Sequence, residues 1–156
     1  MKTLYKKNQH NADINTKTKL LRTPLNKVCF LGRADVVRFL LDQPQIDYKW
    51  GDIKGRNPLH NAIFGPKGGR DGKKVVPKGL DLQLGTFGRD CPEAAQLLLE
   101  KGLDVNLQDI DGSTALHIAC SSEALDSIPL LMAYNADVWT YFNCLNAYSK
   151  ILSCLT

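Results

Sequence analysis

The sequence predicts an all-α protein, a solenoid of stacked helix–turn–helix units with projecting β-turn or hairpin loops. Three observations support this class: an internal repeat, capping residues at regular positions, and apolar residues at helical spacing. The repeated segments begin at Thr23, Asn57 and Thr114, so the first two starts are 34 residues apart and the next two 57. An insertion of roughly 24 residues in the second segment would reduce that second period to about 33.

The boundaries between units are marked by residues that start helices or form turns. Thr23-Pro24 and Asn57-Pro58 place a capping side chain before a proline, and Thr114 occupies the same position in the third unit. Proline is tolerated in the first helical turn because its missing N–H would have no partner there. Thr and Asn side chains cap the exposed N–H groups. Lys54-Gly55 and Asp111-Gly112 then supply turns in which a positive φ is expected.

The second helix of each unit is an apolar run that ends at a turn-forming residue. Gly102 and Asn135 are the expected stops, because both tolerate the left-handed conformation that ends many helices. A proline inside a helix is unfavourable, so Pro129 predicts that the third of these helices starts late, after a cap at Asp126. The three runs read VVRFLL, AAQLLL and IPLLMA.

Short motifs in these segments resemble those of ankyrin repeats. The T-P-L-H-x-A signature has counterparts at residues 57–62 and 114–119, and the G-A-D-V-N ending at residues 11–15 and 102–106. The linker D-x-x-G-x-T corresponds to residues 109–114. The resemblance covers about residues 11–138 apart from the insertion, and it implies an ankyrin-repeat solenoid of stacked helix pairs.

The repeats predict one domain at residues 11–156, after a frayed tail at residues 1–10. The motif fades after Val138, and the apolar residues near the end of the chain suit a final helix that covers the stack. The expected boundaries are repeats at about 23–56, 57–113 and 114–145, the insertion at 66–90, and the capping helix at about 146–155.

Composition excludes several classes of function. The five cysteines are an odd number without a C-x-x-C pair, so neither a disulfide framework nor a metal site is expected. The sequence shows no secretory signal and no apolar run of membrane-spanning length, which favours the cytoplasm, with the nucleus also open. No nucleophile elbow or carboxylate pair is recognisable, so neither catalysis nor a cofactor is expected. His60 and His117 are read as helix-start residues, as the resemblance implies.

Uneven charge leaves an alternative function open. Residues 1–22 carry six cations and one acid, and the Gly- and Lys-rich insertion carries Lys73, Lys74 and Lys78, which could contact phosphates. Against base recognition, Phe87 is the insertion's one aromatic residue. The phosphate-loop pattern G-x-x-x-x-G-K-[ST] is not met. Nucleic-acid or acidic-partner binding through the tail and insertion is therefore the alternative, and nucleic acid is not favoured.

The resemblance implies that a monomer binds a partner protein on its concave face, as an adaptor, scaffold or inhibitor. Turns and first helices line that face in the family. The corresponding turn residues are Lys19, Leu20, Arg22, Ile53, Lys54, Arg56, Ile110, Asp111 and Ser113. The corresponding helix residues are Phe30, Leu31, Phe64, Ser121 and Ser122.

Five of these residues are apolar and are expected to form a ladder across the repeats: Leu20, Phe30, Ile53, Phe64 and Ile110. Exposed apolar patches commonly mark binding sites, and aromatic residues beside arginine often dominate interface energy. Because Lys54 and Arg56 flank the ladder, it predicts a partner segment with acidic and apolar character. A second interpretation places Phe30 and Phe64 beneath the insertion or a neighbouring turn.

Overall fold

The computed structural model describes residues 12–65, 91–122 and 124–138, and within these ranges it contains six helices and no strand. The predicted all-α class is confirmed. The tail, the insertion and the capping helix lie outside the described residues, so the expected domain and repeat boundaries stay predictions. The helices are α1 (Pro24–Phe30), α2 (Ala34–Leu41), α3 (Pro58–Phe64), α4 (Pro92–Glu100), α5 (Ala115–Ser122) and α6 (Ser127–Ala133).

The first helix of each pair starts where the sequence predicts, and reciprocal side-chain bonds hold all three starts, including that of α5, where Thr114 and His117 exchange bonds at 3.5 and 3.2 Å. The Thr23 hydroxyl accepts from the N–H of Asn26 at 3.2 Å, and the Asn26 amide oxygen accepts from the N–H of Thr23 at 3.1 Å. Asn57 and His60 make the same exchange at 3.0 and 3.2 Å. These capping boxes satisfy N–H groups that the helix cannot bond internally.

The helix pairs stack in register around one apolar core. First helices pack in the order α1, α3, α5, and second helices in the order α2, α4, α6. Leu25, Leu59 and Leu116 occupy equivalent positions of the first helices, and each is at most 1% exposed. Full burial of a leucine contributes about 1.5–3 kcal/mol relative to an exposed one. Since a single pair cannot enclose its leucine, stability depends on the neighbouring pair.

The second helices also follow the predicted limits, with one difference at α6. Gly102 (φ 89°) and Asn135 (φ 60°) adopt the left-handed conformation expected after α4 and α6. The late start of α6 is confirmed, and Pro129 lies in its first turn. The capping role of Asp126 is wrong, however, because its side chain makes no bond to the helix. Its own backbone is already helical, with φ −74° and ψ −27°, which turns the side chain away from a capping geometry.

Residues on the two sides of the insertion are joined in the same way as residues on the two sides of an ordinary turn between helices. The N–H of Cys91 donates to the carbonyl of Ala62 at 3.1 Å, across the insertion. In the other pairs a bond of the same kind spans five residues, from Arg33 to Val28 at 3.1 Å and from Ala124 to Ala119 at 2.9 Å. The helices α3 and α4 are therefore joined as closely as the uninterrupted pairs.

Two asparagines connect the end of one repeat to the loop that ends the next. The amide oxygen of Asn15 accepts from the N–H of Asp47 at 2.8 Å, and its amide nitrogen donates to the carbonyl of Gln45 at 2.7 Å. Asn106 makes the matching pair of bonds at 2.7 and 3.3 Å, to Asp137 and Asn135 respectively. Each asparagine thus fixes the spacing between consecutive repeat ends.

Lys49 occupies the same position at the end of the first repeat. Asn15, Lys49 and Asn106 each stand two residues after an aspartate. The carboxylate of the aspartate before Lys49, Asp47, accepts from the N–H of Lys49 at 3.1 Å. The equivalent bonds to Asn15 and Asn106 measure 2.9 Å. A lysine side chain has no acceptor, so Lys49 cannot receive the N–H of the following repeat end.

We expect Lys49→Asn to raise the free energy of unfolding by about 1 kcal/mol, because the new amide oxygen can accept from the N–H of Asp104. Denaturant unfolding at neutral pH measures the change. Lys49→Ala is the matched control, since it removes the lysine without supplying an acceptor. Equal stability of the two variants would show that the repeat junction does not use this bond.

His60 links the second repeat to the third while buried in the core. It is 1% exposed, and its Nε2 donates to the carbonyl of Ser113 at 3.1 Å while Nδ1 accepts from Asn57. Burial lowers the pKa of His60 below its ordinary value, although the nearby Asp109 carboxylate opposes that shift. The neutral imidazole is therefore the form that the fold requires.

Because the folded pKa of His60 lies below the unfolded one, the unfolded chain binds more protons in mildly acidic solution. We expect the free energy of unfolding to fall as the pH drops below about 6.5, the ordinary histidine pKa. His60→Asn keeps the capping geometry seen at Asn26 but cannot titrate, so its stability should depend less steeply on pH. Denaturant unfolding of both proteins between pH 7 and about 5 measures the two slopes. Parallel slopes would contradict the assignment.

Candidate protein-binding surface

Three successive turns of the same construction precede the first helices, at residues 18–22, 52–56 and 109–113. In each, the first residue's N–H donates to the carbonyl of the fifth, at 2.9–3.0 Å. The Asp52 carboxylate accepts from the N–H groups of Lys54 and Arg56 at 2.9 and 3.2 Å. In the third turn the Asp109 carboxylate accepts from the N–H groups of Asp111 and Ser113 in the same way. In the first turn the Thr18 hydroxyl accepts from the N–H of Arg22. We call these three turns the turn row.

Backbone hydrogen bonds join the turns to one another. The N–H of Ile53 donates to the carbonyl of Leu20, and the N–H of Ile110 donates to the carbonyl of Lys54, both at 3.0 Å. Gly55 permits this approach, because a Cβ at its position would lie 3.1 Å from the Ile110 nitrogen. Its φ of 69° also favours glycine. The turn row is therefore an edge with fixed spacing.

The turn row exposes the apolar residues that the sequence predicted there. Leu20, Ile53 and Ile110 are 49%, 56% and 69% exposed. Leu21, which the sequence analysis missed, is also exposed and has a φ of 56°. Gly55 occupies the equivalent position of the second turn, so comparison of the turns would have identified Leu21 as a residue in a glycine conformation. The apolar side chains of the turns are therefore accessible to a partner.

Phe30 and Phe64 lie beside each other on α1 and α3 and are half-buried. Their ring centroids are 6.3 Å apart and their planes are inclined by 28°. The guanidinium carbon of Arg22 lies 5.9 Å from the centroid of Phe30, and that of Arg56 lies 5.0 Å from the centroid of Phe64. We call these four residues the Arg–Phe cluster. The arginine side chains of the neighbouring turns thus lie over the two rings, which remain partly accessible.

A buried carboxylate holds the two arginines of the Arg–Phe cluster. One oxygen of Asp52 lies 3.4 Å from Arg22 Nε and 3.4 Å from Arg56 Nη2, and the Asp52 side chain is fully buried. The arginine side chains remain 28% and 12% exposed. Asp52 was not predicted from the sequence, although its place at the start of a turn is a signal. One negative charge thus positions two positive ones.

The remaining predicted residues differ in exposure between repeats. Lys19, Lys54 and Asp111 are exposed, whereas Leu31 and Ser113 are half-buried. Ser121 is exposed and Ser122 half-buried, and both hydroxyls donate to the carbonyl of Ile118, at 3.0 and 2.6 Å. Sequence analysis missed Lys27, whose ammonium lies 5.7 Å from the Phe30 centroid. The structure therefore concentrates aromatic and basic groups in the first two repeats.

The described residues offer little that suggests other chemistry. Burial, with a smaller contribution from Cys91, raises the pKa of the Cys29 thiol far above its ordinary value, which keeps it protonated and weakly nucleophilic. Within ranges 12–65, 91–122 and 124–138, no group of three His, Cys, Asp or Glu residues is placed to hold a metal ion. No helix in that part of the chain is long and apolar enough to cross a bilayer.

Comparison with known proteins gives the family of these repeats. Residues 87–132 match the family model described as ankyrin repeats in many copies. Human ankyrin repeat domain-containing protein 63 is 48% identical over 109 residues, which cover 68% of this chain and 23% of that protein. An ankyrin repeat protein of Acanthamoeba polyphaga mimivirus, L92, is 46% identical over 44 residues, or 28% of this chain and 11% of that protein.

A third relative combines such repeats with another domain. The Caenorhabditis elegans homolog of ankyrin repeat and LEM domain-containing protein 1 is 44% identical over 45 residues, which cover 29% of this chain and 6% of that protein. The chain thus spans less than a quarter of the length of each of these relatives. The matches, together with the repeated turns and capped helices, show that the chain belongs to the ankyrin-repeat family.

Proposed function

We propose that this chain is a non-catalytic interaction module that binds a partner protein through the turn row and the Arg–Phe cluster, on its concave face. Ankyrin repeats are generally protein–protein interaction modules, and proteins of the family are typically non-catalytic. The observation that carries the proposal is the continuity of the surface: exposed apolar turns stand beside two stacked phenylalanines and two arginines. Adaptor, scaffold and inhibitor roles all use such a surface, in the cytoplasm or the nucleus.

The chemistry of the surface selects the partner. Aromatic residues and arginine are enriched among residues that dominate interface energy, because they offer large contact areas at a modest entropic cost. Leu20, Ile53 and Ile110 add apolar area that a partner would remove from water. Arg22 and Arg56 together exceed the single charge of Asp52. A segment with acidic and apolar side chains fits these features.

We expect the double variant Ile53→Ser/Ile110→Ser to weaken partner binding by tenfold or more while leaving the melting temperature nearly unchanged. Both side chains are mostly exposed, so the folded state loses little buried area, whereas a complex would lose about 1–2 kcal/mol at each contact. Quantitative affinity capture from a cell extract, compared with wild type by mass spectrometry, measures binding, and thermal unfolding measures stability.

Phe39→Ser is the matched control for that variant. Phe39 is 56% exposed, the same fraction as Ile53, but it lies on α2 rather than on the turn row. Partners that need the turn row should remain bound to Phe39→Ser. If the control loses the captured proteins and the turn variant keeps them, the partner covers α2 and the proposed surface is wrong.

A further inference from the structure

Equivalent positions of the three repeats carry different charges along the turn row and the adjoining helices. The first two repeats present five cations at these positions, whereas the third presents none and adds an exposed acid. The cations are Lys19, Arg22, Lys27, Lys54 and Arg56. The residues equivalent to them in the third repeat are Ile110, Ser113, Ile118 and Asp111.

The acids beside the cations do not cancel this difference. Asp52 is buried and bonded to its turn and to both arginines, so it offsets one of the five positive charges. Asp109 in the third turn accepts hydrogen bonds from that turn's own N–H groups. Asp111 is exposed to solvent at the position that Lys54 occupies one turn earlier. The surface is therefore positive at the first two repeats and negative at the third.

We propose that this charge gradient gives the binding surface a direction. The bound segment lies across the turns with its acidic residues over the first two repeats, and with uncharged or basic residues over Asp111. This inference rests on the proposed function and specifies how the same surface is used. Neighbouring helix pairs lie about 8–10 Å apart, so roughly three residues of extended chain separate the groups that face Lys54 and Asp111.

In this arrangement the apolar contacts determine affinity, and the charged contacts determine the orientation of the bound segment. Leu20, Ile53 and Ile110 provide an apolar contact in every turn, so they hold a segment of either direction equally. Charges at exposed positions add little affinity but discriminate between orientations, because a wrong orientation brings like charges together. The direction should therefore depend on Lys54 and Asp111 even though affinity depends mainly on the apolar residues.

Exchange of the two charges tests the direction without a change of net charge. Each residue already occupies the equivalent turn position of the other, so Lys54→Asp/Asp111→Lys should fold with an unchanged melting temperature. The probes are peptides selected from a random displayed library on the wild-type protein, each paired with a synthetic variant whose acidic and non-acidic ends are exchanged. Fluorescence polarisation gives the dissociation constant of each peptide for each protein.

We expect wild type to prefer each selected peptide over its end-exchanged variant by about threefold or more. The charge-exchanged protein should lose most of that preference, because only four of the five cations remain in the first two repeats and the third repeat gains one. Lys54→Ala/Asp111→Ala should reduce the preference by a smaller amount than the exchange does. Raising the salt concentration to about 0.5 M should shrink all of these differences, because the charges are exposed and screened.

The outcomes separate the two proposals. Peptides that lose affinity for Ile53→Ser/Ile110→Ser but keep the same preference on the charge-exchanged protein overturn the direction and leave the proposed surface standing. A library that returns no peptide dependent on Ile53 and Ile110 overturns the proposed surface itself. A charge-exchanged protein that unfolds would overturn the equivalence of the two turns on which the direction rests.

Discussion

Register between consecutive repeats is the constraint on which this surface depends. The leucines of α1, α3 and α5 are buried because each first helix faces the next, and the same stacking brings successive turns within hydrogen-bonding distance. The distance between neighbouring repeats is therefore the same for the helix pairs, which are held by apolar packing, and for the turns, which are held by backbone hydrogen bonds. The exposed residues of neighbouring turns therefore keep their separation only while the helix pairs in the core remain stacked in register.

Local chemistry explains why so much of the fold was predictable. Capping residues, prolines and glycines act on their nearest neighbours, so their effects could be read from spacing alone. The contacts that sequence analysis missed join residues about thirty positions apart, as in Asn15 with Asp47 and Arg22 with Asp52. Asn15 and Asn106 end a recurring motif and Asp52 starts a turn, but these local patterns do not show which distant residues the three side chains contact. Leu21 was missed because leucine rarely adopts a positive φ.

The insertion shows how a repeat stack tolerates a long interruption. Loop-closure entropy grows only logarithmically with length, so roughly 24 extra residues cost little once both ends are fixed. The ends are fixed here, because the bond from Cys91 to Ala62 has the same place as the bonds within uninterrupted pairs. Packing of α4 against α2 and α3 then proceeds as in the other repeats. The packing of the helices therefore sets the register, and the connection between α3 and α4 can be long without changing it.

Asp52 shows how one residue can serve both the stack and its surface. Its buried carboxylate bonds to N–H groups of its own turn, and it holds one arginine from that turn and another from the preceding turn. A buried charge is tolerated only when it is paired and hydrogen-bonded, and the arginines together with the N–H groups of the turn meet that requirement. Two guanidiniums on one carboxylate leave a surplus positive charge, and the guanidiniums lie over the rings of Phe30 and Phe64. The demand for pairing beneath the turn thus produces a basic and aromatic surface above it.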